Sequence, residues 1–517
     1  MTERVPLHPE VRLSRSIYIV FFAAALLFLY LRTFLFPAIP FLANGDQALF
    51  FVRAARIAHG QVLYRDFFEL VTPGTELLYA AVFRLFGIHV WIMQAWGIVL
   101  GLALLVVITR IASRMFRGLM ILLPGFLFLV FDYGNALDAT HHWYSTLAVL
   151  AAVSVLTGMS LRRIFTASIF CGVATLFTQT QGVLTLLALM IFVISQRQSE
   201  NKKDSLVTQL ATLVLPFTAL VSCVLGYYVL RAGFSTVYFD LVVFPLKYLS
   251  SDDPNSLRTY LQQLPPVHRV ADTVRLIPFL FVYAIVPYIY VFGGFLLWRR
   301  WETVPVSLRK QLVLFHLVGF ALFLSVANGP RFVRLCTVAP PAVLICAWIL
   351  GQPNTACRLL RNALCILAAL SALWVSFYRQ TRPHVVLNLP IGRTAFLDIP
   401  EAEQYQWLAQ HTHPSEFFFN DVMIGLYLGL DNAAASDFVN HGEYSRPEQV
   451  ANVIQSLKNH PAHFVLLFPV DANHSDGNDN SMPFQQYVHD HYHLNRVFYL
   501  GHNSGEELWE LTSQPTH

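Results

Sequence analysis

The chain has 517 residues, of which 55% are hydrophobic and 13% charged, and its mean hydropathy is +0.51. Soluble globular proteins carry roughly 25% charged residues, so the composition excludes a wholly soluble protein and predicts a helical protein with several membrane spans. The six cysteines lie in or beside apolar segments without a CxxC pair. This placement is typical of small buried side chains rather than of a disulfide framework.

The chain contains a succession of apolar segments. Many of them approach the length of about 20 residues that a helix needs to span a membrane. The first is longer than a signal-peptide core of about 7–15 residues and lacks an evident cleavage site, so we expect it to be retained. The sequence predicts eleven spans, at residues 17–37, 88–109, 118–133, 144–160, 165–180, 182–196, 206–230, 273–298, 311–327, 335–351 and 361–378.

Basic residues predict the orientation of these spans, because short cytoplasmic loops are enriched in Lys and Arg. With a cytoplasmic N-terminus carrying Arg4, Arg12 and Arg15, every second loop is short and basic. This agreement requires that residues 75–87 do not cross the membrane. That segment is too short to span and contains Arg84, so we predict a re-entrant or interfacial helix on the outer side.

The predicted topology places the polar loops 38–87, 134–143, 231–272 and 328–334 on the non-cytoplasmic face. We therefore predict two domains, a transmembrane catalytic domain at 1–379 and an extracytoplasmic α/β domain at 380–517. From residue 380 onward the chain has 16 acidic residues against 5 Lys and Arg, and 12 of its 19 histidines. Helix patterns at 401–412 and 446–461 alternate there with short strand patterns at 416–422, 463–470, 496–501 and 507–512.

Asp46 follows the first predicted span and starts the amphipathic stretch "DQALFFVRAARIAHG". An aspartate at this position caps a helix and interacts favourably with the positive end of its dipole. The same carboxylate, facing a cavity at the membrane surface, is suited to general base catalysis. Arg53 and Arg56 follow one helical turn apart, so both are placed to face a lipid headgroup.

Further ionisable residues lie in the other outer loops, where charges at membrane depth are costly and usually functional. Asp132, Asp138, His141 and His142 surround the second outer turn, where their spacing suits sugar binding or acid–base chemistry better than a metal site. The alternative for that turn is an interfacial helix cap. The other candidate residues are Tyr64, Arg65, Asp66 and Glu69 in the first loop, Lys247 in the third, and Arg331 and Arg334 in the fourth. The non-functional alternatives are an ordinary exposed loop for the first group and, for the two arginines, side chains that extend to lipid headgroups.

The order of these motifs resembles that of the GT-C glycosyltransferases, in the broad group of protein O-mannosyltransferases and aminoarabinose transferases. The resemblance depends on "NGDQ" after the first span, "AARIAHGQVLYRDFFE", the proline-led "TPGTELLYAAVFRLFG" and the acidic "DYGNALDATHH". The first loop has one proline where twin prolines are usual and no adjacent lysine. "GDQ" lacks the Asp-Glu pair of the mannosyltransferases, which argues against protein mannosylation.

The resemblance implies a role for each matching residue. Asp46 matches the catalytic acid, which would act as the base. Phe68 and Glu69 match the pair before the proline-led helix, and Asp138, with Asp132 as competitor, matches the second-loop acid. The phosphate-binding residues would be Arg331 or Arg334, with Lys247 as a further candidate. Substrate contacts are expected from Glu69, Asp138, His141, His142, Arg53, Arg56 and Tyr64.

The resemblance implies an inverting transfer of a sugar from a polyprenyl-phosphate donor to a lipid, glycan or protein acceptor of the cell envelope. The enzyme would lie in a membrane, the bacterial inner membrane being the expected one, and no nucleic-acid partner is expected. No cofactor is required, although Asp46 and Asp138 leave room for a divalent metal. Two rival hypotheses are a non-catalytic carrier or flippase for a lipid-linked sugar and a membrane scaffold whose acidic tail binds a partner. Neither rival needs a base.

Overall fold

The structure is a computed structural model, and it describes most of the chain. The described residues are 13–43, 45–156, 159–197, 205–248, 270–327, 329–432, 434–439, 445–468, 479–500 and 505–512.

Helices form the first three quarters of the molecule. In chain order they are α1 Arg15–Thr33, α2 Asp46–Ala58, α3 Gly74–Phe86, α4 Val90–Met115, α5 Leu123–Leu127, α6 His141–Val155, α7 Leu161–Phe177, α8 Gln179–Arg197, α9 Leu206–Ala232, α10 Phe234–Tyr238, α11 Phe244–Lys247, α12 Val270–Arg299, α13 Val306–Val326, α14 Phe332–Val338, α15 Pro340–Leu350 and α16 Thr355–Thr381. Within the described residues, seven of these helices are long and apolar enough to cross a membrane: α1, α4, α8, α9, α12, α13 and α16. The pair α14 and α15, bent by 67°, makes an eighth candidate.

The predicted count of eleven spans is therefore not confirmed, and three segments account for the difference. Residues 118–133 form a 3₁₀ turn, the short α5 and a π-helical turn at Phe128–Asp132 instead of one helix. The helices α6 and α7 have 15 and 17 residues, and they pack along each other. Most α6 side chains are buried, so its apolar character on all sides reflects burial among other helices.

The predicted interfacial segment is the 13-residue helix α3, which ends at Gly87 with φ +75°. Its buried face includes Glu76 and Tyr79, and its exposed face includes Leu77 and Leu85. This helix packs along α2, so the first loop contributes a helical hairpin that lies at one end of the bundle.

The segment after α16, which we call the tail, alternates strands and helices as predicted. It contains β3 Val385–Leu389, β4 Gly392–Phe396, α17 Ile399–His411, β5 Phe418–Phe419, α18 Val422–Leu428, α19 Pro447–Asn459, β6 Phe464–Leu467, α20 Met482–His491, β7 Tyr492–Tyr499 and β8 Gly505–Leu511. The first two strands, β1 Phe34–Leu35 and β2 Ile39–Pro40, form a short antiparallel pair between α1 and α2. One sheet has the order β5-β6-β8-β7, with β5 and β6 parallel and the other pairs antiparallel. The hairpin β3–β4, which the sequence did not predict, is a separate sheet.

The tail packs directly on the loops at one end of the helical bundle. The Leu42 N–H donates to the Ala395 carbonyl at 2.9 Å, and the Val90 N–H donates to Ile391 at 3.1 Å. Gln380, near the end of α16, donates to the carbonyls of Leu31 and Phe34 at 2.7 Å. We call this the tail end of the bundle, where α1 ends and α4 and α6 begin, and we call the opposite one the far end.

Candidate active site

Asp46 is the first residue of α2 and is exposed at the tail end of the bundle. Gly45 precedes it with φ +74°, a left-handed conformation that glycine adopts without the steric penalty of a side chain. The neighbouring Gln47 is buried and donates to Tyr79 Oη at 3.0 Å and to the Met93 carbonyl at 2.8 Å. The backbone next to Asp46 is thus held in place, while Asp46 itself is exposed. It lies at the helix N-terminus, where the dipole stabilises negative charge.

Asp138 lies next to Asp46 in the second loop, just before α6. Its carboxylate is enclosed, and burial followed by the negative charge of Asp46 raises the pKa of Asp138 to about 7. The surrounding loop is held by Tyr79, which donates to the Ala139 carbonyl at 2.8 Å, and by the Trp143 indole, which donates to Ala136 at 2.8 Å. Asp138 is therefore ready to exchange a proton near neutral pH, and one of its oxygens, Oδ1, is buried without a hydrogen bond.

The first two residues of α6 are a pair of stacked histidines. The rings of His141 and His142 lie 3.8 Å apart between centroids, and His141 also contacts Phe50 of α2 at 5.2 Å. Burial and then the positive charge of Arg334 lower the pKa of His142 to about 3. Burial, His142 and Arg334 likewise lower the pKa of His141 well below its usual range. Both rings are neutral at pH 7 and present hydrogen-bonding nitrogens rather than charge.

Two arginines at the start of the bent helix pair bring positive charge close to Asp46 and the two histidines. Arg334 lies within electrostatic range of Asp46, of Arg331 and of both histidines. Arg331 is exposed and Arg334 half-buried. The structure therefore brings together residues from three separate segments, which we call the Asp46 cluster: Asp46, Asp138, His141, His142, Arg331 and Arg334.

A second set of charged residues from the same first loop pairs elsewhere, and we call it the clasp: Arg53, Arg56, Glu69 and Asp437. Arg53 Nη1 bonds to Glu69, and its Nε donates to Asp437 Oδ2 at 2.7 Å. Arg56 Nη1 donates to Asp437 Oδ1 at 3.1 Å, and its guanidinium covers the Phe67 ring at 4.5 Å. Arg53, Glu69 and Asp437 are 5%, 1% and 5% exposed, so the clasp is a closed network that joins the first loop to the tail.

Electrostatics confirm that the clasp is neutralised internally. Burial alone lowers the pKa of the Arg53 guanidinium, but the charges of Glu69 and Asp437 outweigh it and raise the pKa above its ordinary value. Glu76 of α3 lies beside Glu69, and burial together with that negative charge raises the pKa of Glu76 well above the usual range. The protonated form of Glu76 is favoured by these surroundings, which limits the negative charge beside Glu69.

Two other residues predicted to bind substrate have contacts outside the Asp46 cluster. Tyr64 adopts φ +66°, is buried, and donates its hydroxyl to the Val71 carbonyl at 2.7 Å. Lys247 is exposed at the end of α11, over the Tyr248 ring at 5.2 Å. Most of the third loop, at residues 249–269, lies outside the described residues. The contacts of Lys247 with that loop are therefore not described.

Asp437 is the participant that sequence reasoning missed. It lies 384 residues from Arg53 along the chain, within an irregular stretch between α18 and α19 that carries no motif. The sequence feature that could have indicated a partner for the loop arginines is the excess of acidic residues in the tail. This excess does not identify a particular residue.

Metal binding depends on the ligands that the site offers. Among the residues that the structure describes, no group of three or more His, Cys, Asp or Glu side chains is arranged to hold an ion. Asp46 and Asp138 supply two carboxylates, one of them with a buried unpaired oxygen. This set suits a hard cation that keeps several waters, as Mg²⁺ does, better than a closed protein cage.

A cavity of about 820 Å³ lies between α2 and the tail, beside the clasp. Its wall includes Arg56, His59, Asp421, Asp437 and His460. The described residues that line it include no member of the Asp46 cluster.

Comparison with solved structures shows which fold this architecture shares. The chain is similar to ArnT from Cupriavidus metallidurans bound to undecaprenyl phosphate, with a TM-score of 0.60 and 13% identity over 97% of this chain and 99% of that one. It is also similar to the archaeal oligosaccharyltransferase AglB from Archaeoglobus fulgidus, in complex with an inhibitory peptide and a dolichol-phosphate. That match has a TM-score of 0.51 and 10% identity, over 87% of this chain and 69% of that one. No family model and no curated protein matches the sequence.

The predicted GT-C-like fold is confirmed by these neighbours, both of which are GT-C glycosyltransferases. The likeness to ArnT covers nearly the whole length of both chains, so it includes the tail as well as the helices. At this level of identity the likeness establishes the fold, and the chemistry must be argued from the residues of this chain.

Proposed function

We propose that the protein is an integral-membrane glycosyltransferase that moves a sugar from a polyprenyl-phosphate donor to an envelope acceptor. The observation that carries the proposal is Asp46, an exposed carboxylate on a fixed backbone, with Arg331 and Arg334 close by. A base beside cations is the combination that this transfer requires. The fold supports the proposal, because ArnT was solved with undecaprenyl phosphate and AglB with a dolichol-phosphate.

In the proposed reaction Asp46 accepts the proton of an acceptor hydroxyl while that oxygen attacks the anomeric carbon of the donor sugar. The bond from this carbon to the phosphate oxygen breaks, and the polyprenyl phosphate leaves with the electron pair. Attack opposite the leaving group inverts the configuration. Arg331 and Arg334 stabilise the negative charge that develops on the phosphate, since arginine presents a planar fork of donors suited to phosphate oxygens.

The remaining members of the cluster orient the substrates. Asp138, with a pKa of about 7, donates or accepts a hydrogen bond to a sugar hydroxyl. Neutral His141 and His142 add no charge that would oppose the arginines. Asp46 and Asp138 would hold a divalent metal, which would supply positive charge near the leaving phosphate, and the roles of the protein residues do not depend on it.

The predicted substrate contacts of Arg53, Arg56, Glu69 and Tyr64 remain predictions. Their pairing in the clasp and beside Val71 favours a positioning role, in which they hold the first loop against the tail. Lys247 remains a predicted phosphate contact at the edge of the third loop.

We propose that the active site and the tail face the non-cytoplasmic side of a bacterial inner membrane, with the N-terminus in the cytoplasm. Two features support this orientation. The far end carries basic residues such as Arg110 and Arg114 at the end of α4 and Arg117 just after it, whereas the tail end carries the acidic tail. Basic loops of this kind stay in the cytoplasm. Within this arrangement 1–379 forms the catalytic domain and 380–517 the extracytoplasmic domain.

The deciding experiment uses purified protein in lipid and a radiolabelled polyprenyl-phospho-sugar. We expect the wild type to release or transfer the sugar and Asp46→Asn to bind the donor without turnover. Asp66→Asn is a matched control, because Asp66 lies in the same loop, is paired with Arg65 at 2.8 Å and is half-buried. Equal turnover in wild type and Asp46→Asn would overturn the role of the base. Binding and transport of intact donor by both proteins would show a carrier instead.

A further inference from the structure

The cavity of about 820 Å³ between α2 and the tail has no role in the transfer reaction as proposed. Its volume lies within the range of about 300–1,000 Å³ that is typical of ligand sites. One side of it is a single face of α2, on which Val52, Ala55, Arg56 and His59 follow one another at spacings of three and four residues. The other side is formed by β5, α18 and the irregular segments beside them in the tail.

The wall of this cavity is held in place by hydrogen bonds within the protein. Arg56 of α2 donates to Asp437 Oδ1 of the tail at 3.1 Å, which joins the two sides. On the tail side, Asn420 donates to the Leu466 carbonyl at 2.8 Å and accepts the Val439 N–H at 2.7 Å. The cavity is therefore preformed, and a ligand binds without first having to order its walls.

The hydrogen-bonding groups that the wall leaves for a ligand are mostly acceptors. Asp421 accepts two backbone N–H groups of α18, at 2.8 and 3.0 Å, with the same oxygen Oδ1, so its Oδ2 is available. Asp431 lines the same space and is exposed. Gln61 accepts from Arg56 at 2.7 Å through its carbonyl oxygen and keeps its amide donors. A ligand that donates several hydrogen bonds, as a chain of hydroxyl groups does, matches this set.

The charges on the wall disfavour a phosphate or another anion. Among the described residues that line the cavity, Arg56 is the one Lys or Arg, and its guanidinium is already bonded within the clasp and to Gln61. The carboxylates of Asp421 and Asp431 add negative charge on the tail side. The phosphate end of a polyprenyl donor therefore belongs elsewhere, whereas an uncharged ligand rich in hydroxyl groups is compatible with this wall.

Apolar and aromatic side chains complete the lining. Ile88, Ile391 and Leu430 are half-buried or buried there. The Phe417 ring lines the same space, and the His460 ring lies 5.5 Å from it between centroids. A sugar ring has hydroxyl groups around its edge and C–H groups on its faces, so it matches an apolar and aromatic lining with a few convergent polar groups.

We propose that this cavity binds sugar units of a glycan acceptor, at a distance from the hydroxyl group that reacts. The proposal depends on the proposed function, in which Asp46 at the start of α2 activates that hydroxyl group. Since a helix rises about 1.5 Å per residue, Val52 and His59 lie about 9 and about 20 Å from Asp46 along the axis of α2. A chain of several sugars spans such a distance, so the acceptor is an oligosaccharide or polysaccharide. Asp421 and Asp431 accept hydrogen bonds from its hydroxyl groups.

The test measures binding of the full chain, in phosphatidylcholine nanodiscs and without donor, to an array of neutral oligosaccharides of increasing length. We expect the wild type to bind a subset of them, and to bind longer chains more tightly than their single sugars. Asp421→Asn/Asp431→Asn should bind about tenfold more weakly, because an amide keeps one acceptor oxygen but makes weaker hydrogen bonds than a carboxylate. Asparagine also caps helices well, so the midpoint of thermal unfolding should change little.

The matched control is Glu448→Gln/Asp490→Asn, which removes two exposed acidic charges of the tail outside the cavity. An equal loss of binding in this control would overturn the site in favour of a general effect of the acidic tail. Tighter binding of phosphorylated or amine-bearing glycans than of neutral ones would overturn the assignment to a neutral glycan.

The outcome also separates this site from the transfer reaction. Sugar transfer by a wild type that binds none of the glycans would overturn the cavity site and leave the proposed function standing. Glycan binding that is weakened by Asp421→Asn/Asp431→Asn, in a protein that transfers no sugar, would confirm the glycan site and overturn the transfer reaction.

Discussion

The Asp46 cluster and the clasp contain the same types of charged residue, partly from the same helix, but differ in how exposed and how paired these residues are. Asp46 begins α2 and leaves its carboxylate exposed, whereas Arg53 and Arg56 of that helix are joined to Glu69 and Asp437. One set is open, with a carboxylate held near cations but accessible. The other is closed, because its charged side chains are largely buried and bonded to one another.

The difference shows that acidic and basic residues near a membrane surface do not by themselves identify a site. A buried charge must be paired and hydrogen-bonded, and the loss of one partner is strongly destabilising. An exposed carboxylate near the positive end of a helix contributes little to stability. Function is therefore expected where the charge is accessible, and structural support where it is buried and paired.

The sharpest test of this contrast is the chemistry of Asp46. Asp46→Asn should lower the rate of sugar transfer by about 10²–10⁴-fold, because general base catalysis contributes effects of that size. Its unfolding midpoint should stay close to that of the wild type, since the side chain is exposed. Single-turnover kinetics and differential scanning fluorimetry check the two expectations. A large loss of stability would show that Asp46 supports the fold.

The clasp should show the reverse pattern. Asp437→Ala leaves Arg53 and Arg56 buried without their shared partner and should cost about 3–5 kcal/mol of stability. The activity of the molecules that remain folded should fall much less than for Asp46→Asn. Calorimetry beside the kinetic assay measures both quantities, with the exposed Glu448→Ala of the tail as control. Unchanged stability would mean that the tail is not held through this network.

Arg334 is expected to act on the donor rather than on the fold. Arg334→Gln should raise the KM for the polyprenyl-phospho-sugar by roughly tenfold or more, because a hydrogen bond to a charged group contributes about 1.5–3 kcal/mol. Arg84→Gln, which removes an exposed arginine of α3, is the control. The same rise in both variants would point to general attraction of the donor to a basic surface.

The smallest expected effects concern the titration of Asp138, which lies beside Asp46. In the folded protein the pKa of Asp138 is about 7, above its ordinary value near 4, so the protonated form is favoured by folding. The contribution of this group to stability is therefore fully present below about pH 4 and is lost as the pH rises toward 7. Asp138→Asn should flatten this part of the stability profile.

Removal of the Asp46 charge should lower the pKa of Asp138, because that charge is the second cause of its elevation after burial. The infrared carbonyl band of a protonated carboxyl, followed against pH in wild type and Asp46→Asn, measures the shift. An unchanged titration would show that the two carboxylates do not act on each other.

The sequence by itself determined the class of the protein and several of its local elements. A low charged fraction and repeated apolar segments of about 20 residues specify a helical membrane bundle, because a helix satisfies its backbone hydrogen bonds within its own segment in lipid. The α/β alternation of the tail and the helix that starts at Asp46 follow from local periodicity. The predicted cap is wrong, because Gly45 is the N-cap of α2 and no side chain bonds to it, while Asp46 lies in the first turn. The residues that form the Asp46 cluster were all proposed from the sequence, since each lies in a predicted outer loop or close to one, beside an apolar segment.

Only the tertiary structure decided which charges are open and which are closed. Asp437 pairs with residues 384 positions away, and no local pattern encodes a contact of that range. The break of residues 118–133 into short turns and the 67° bend between α14 and α15 are likewise set by packing. Apolar content predicts burial in lipid or in protein alike. The sequence therefore predicted eleven spans, whereas the length and composition of the helices in the described part of the chain support seven or eight. The physical reason is the same in each case: residue type sets what a side chain can do, and its surroundings in the fold set whether it does so.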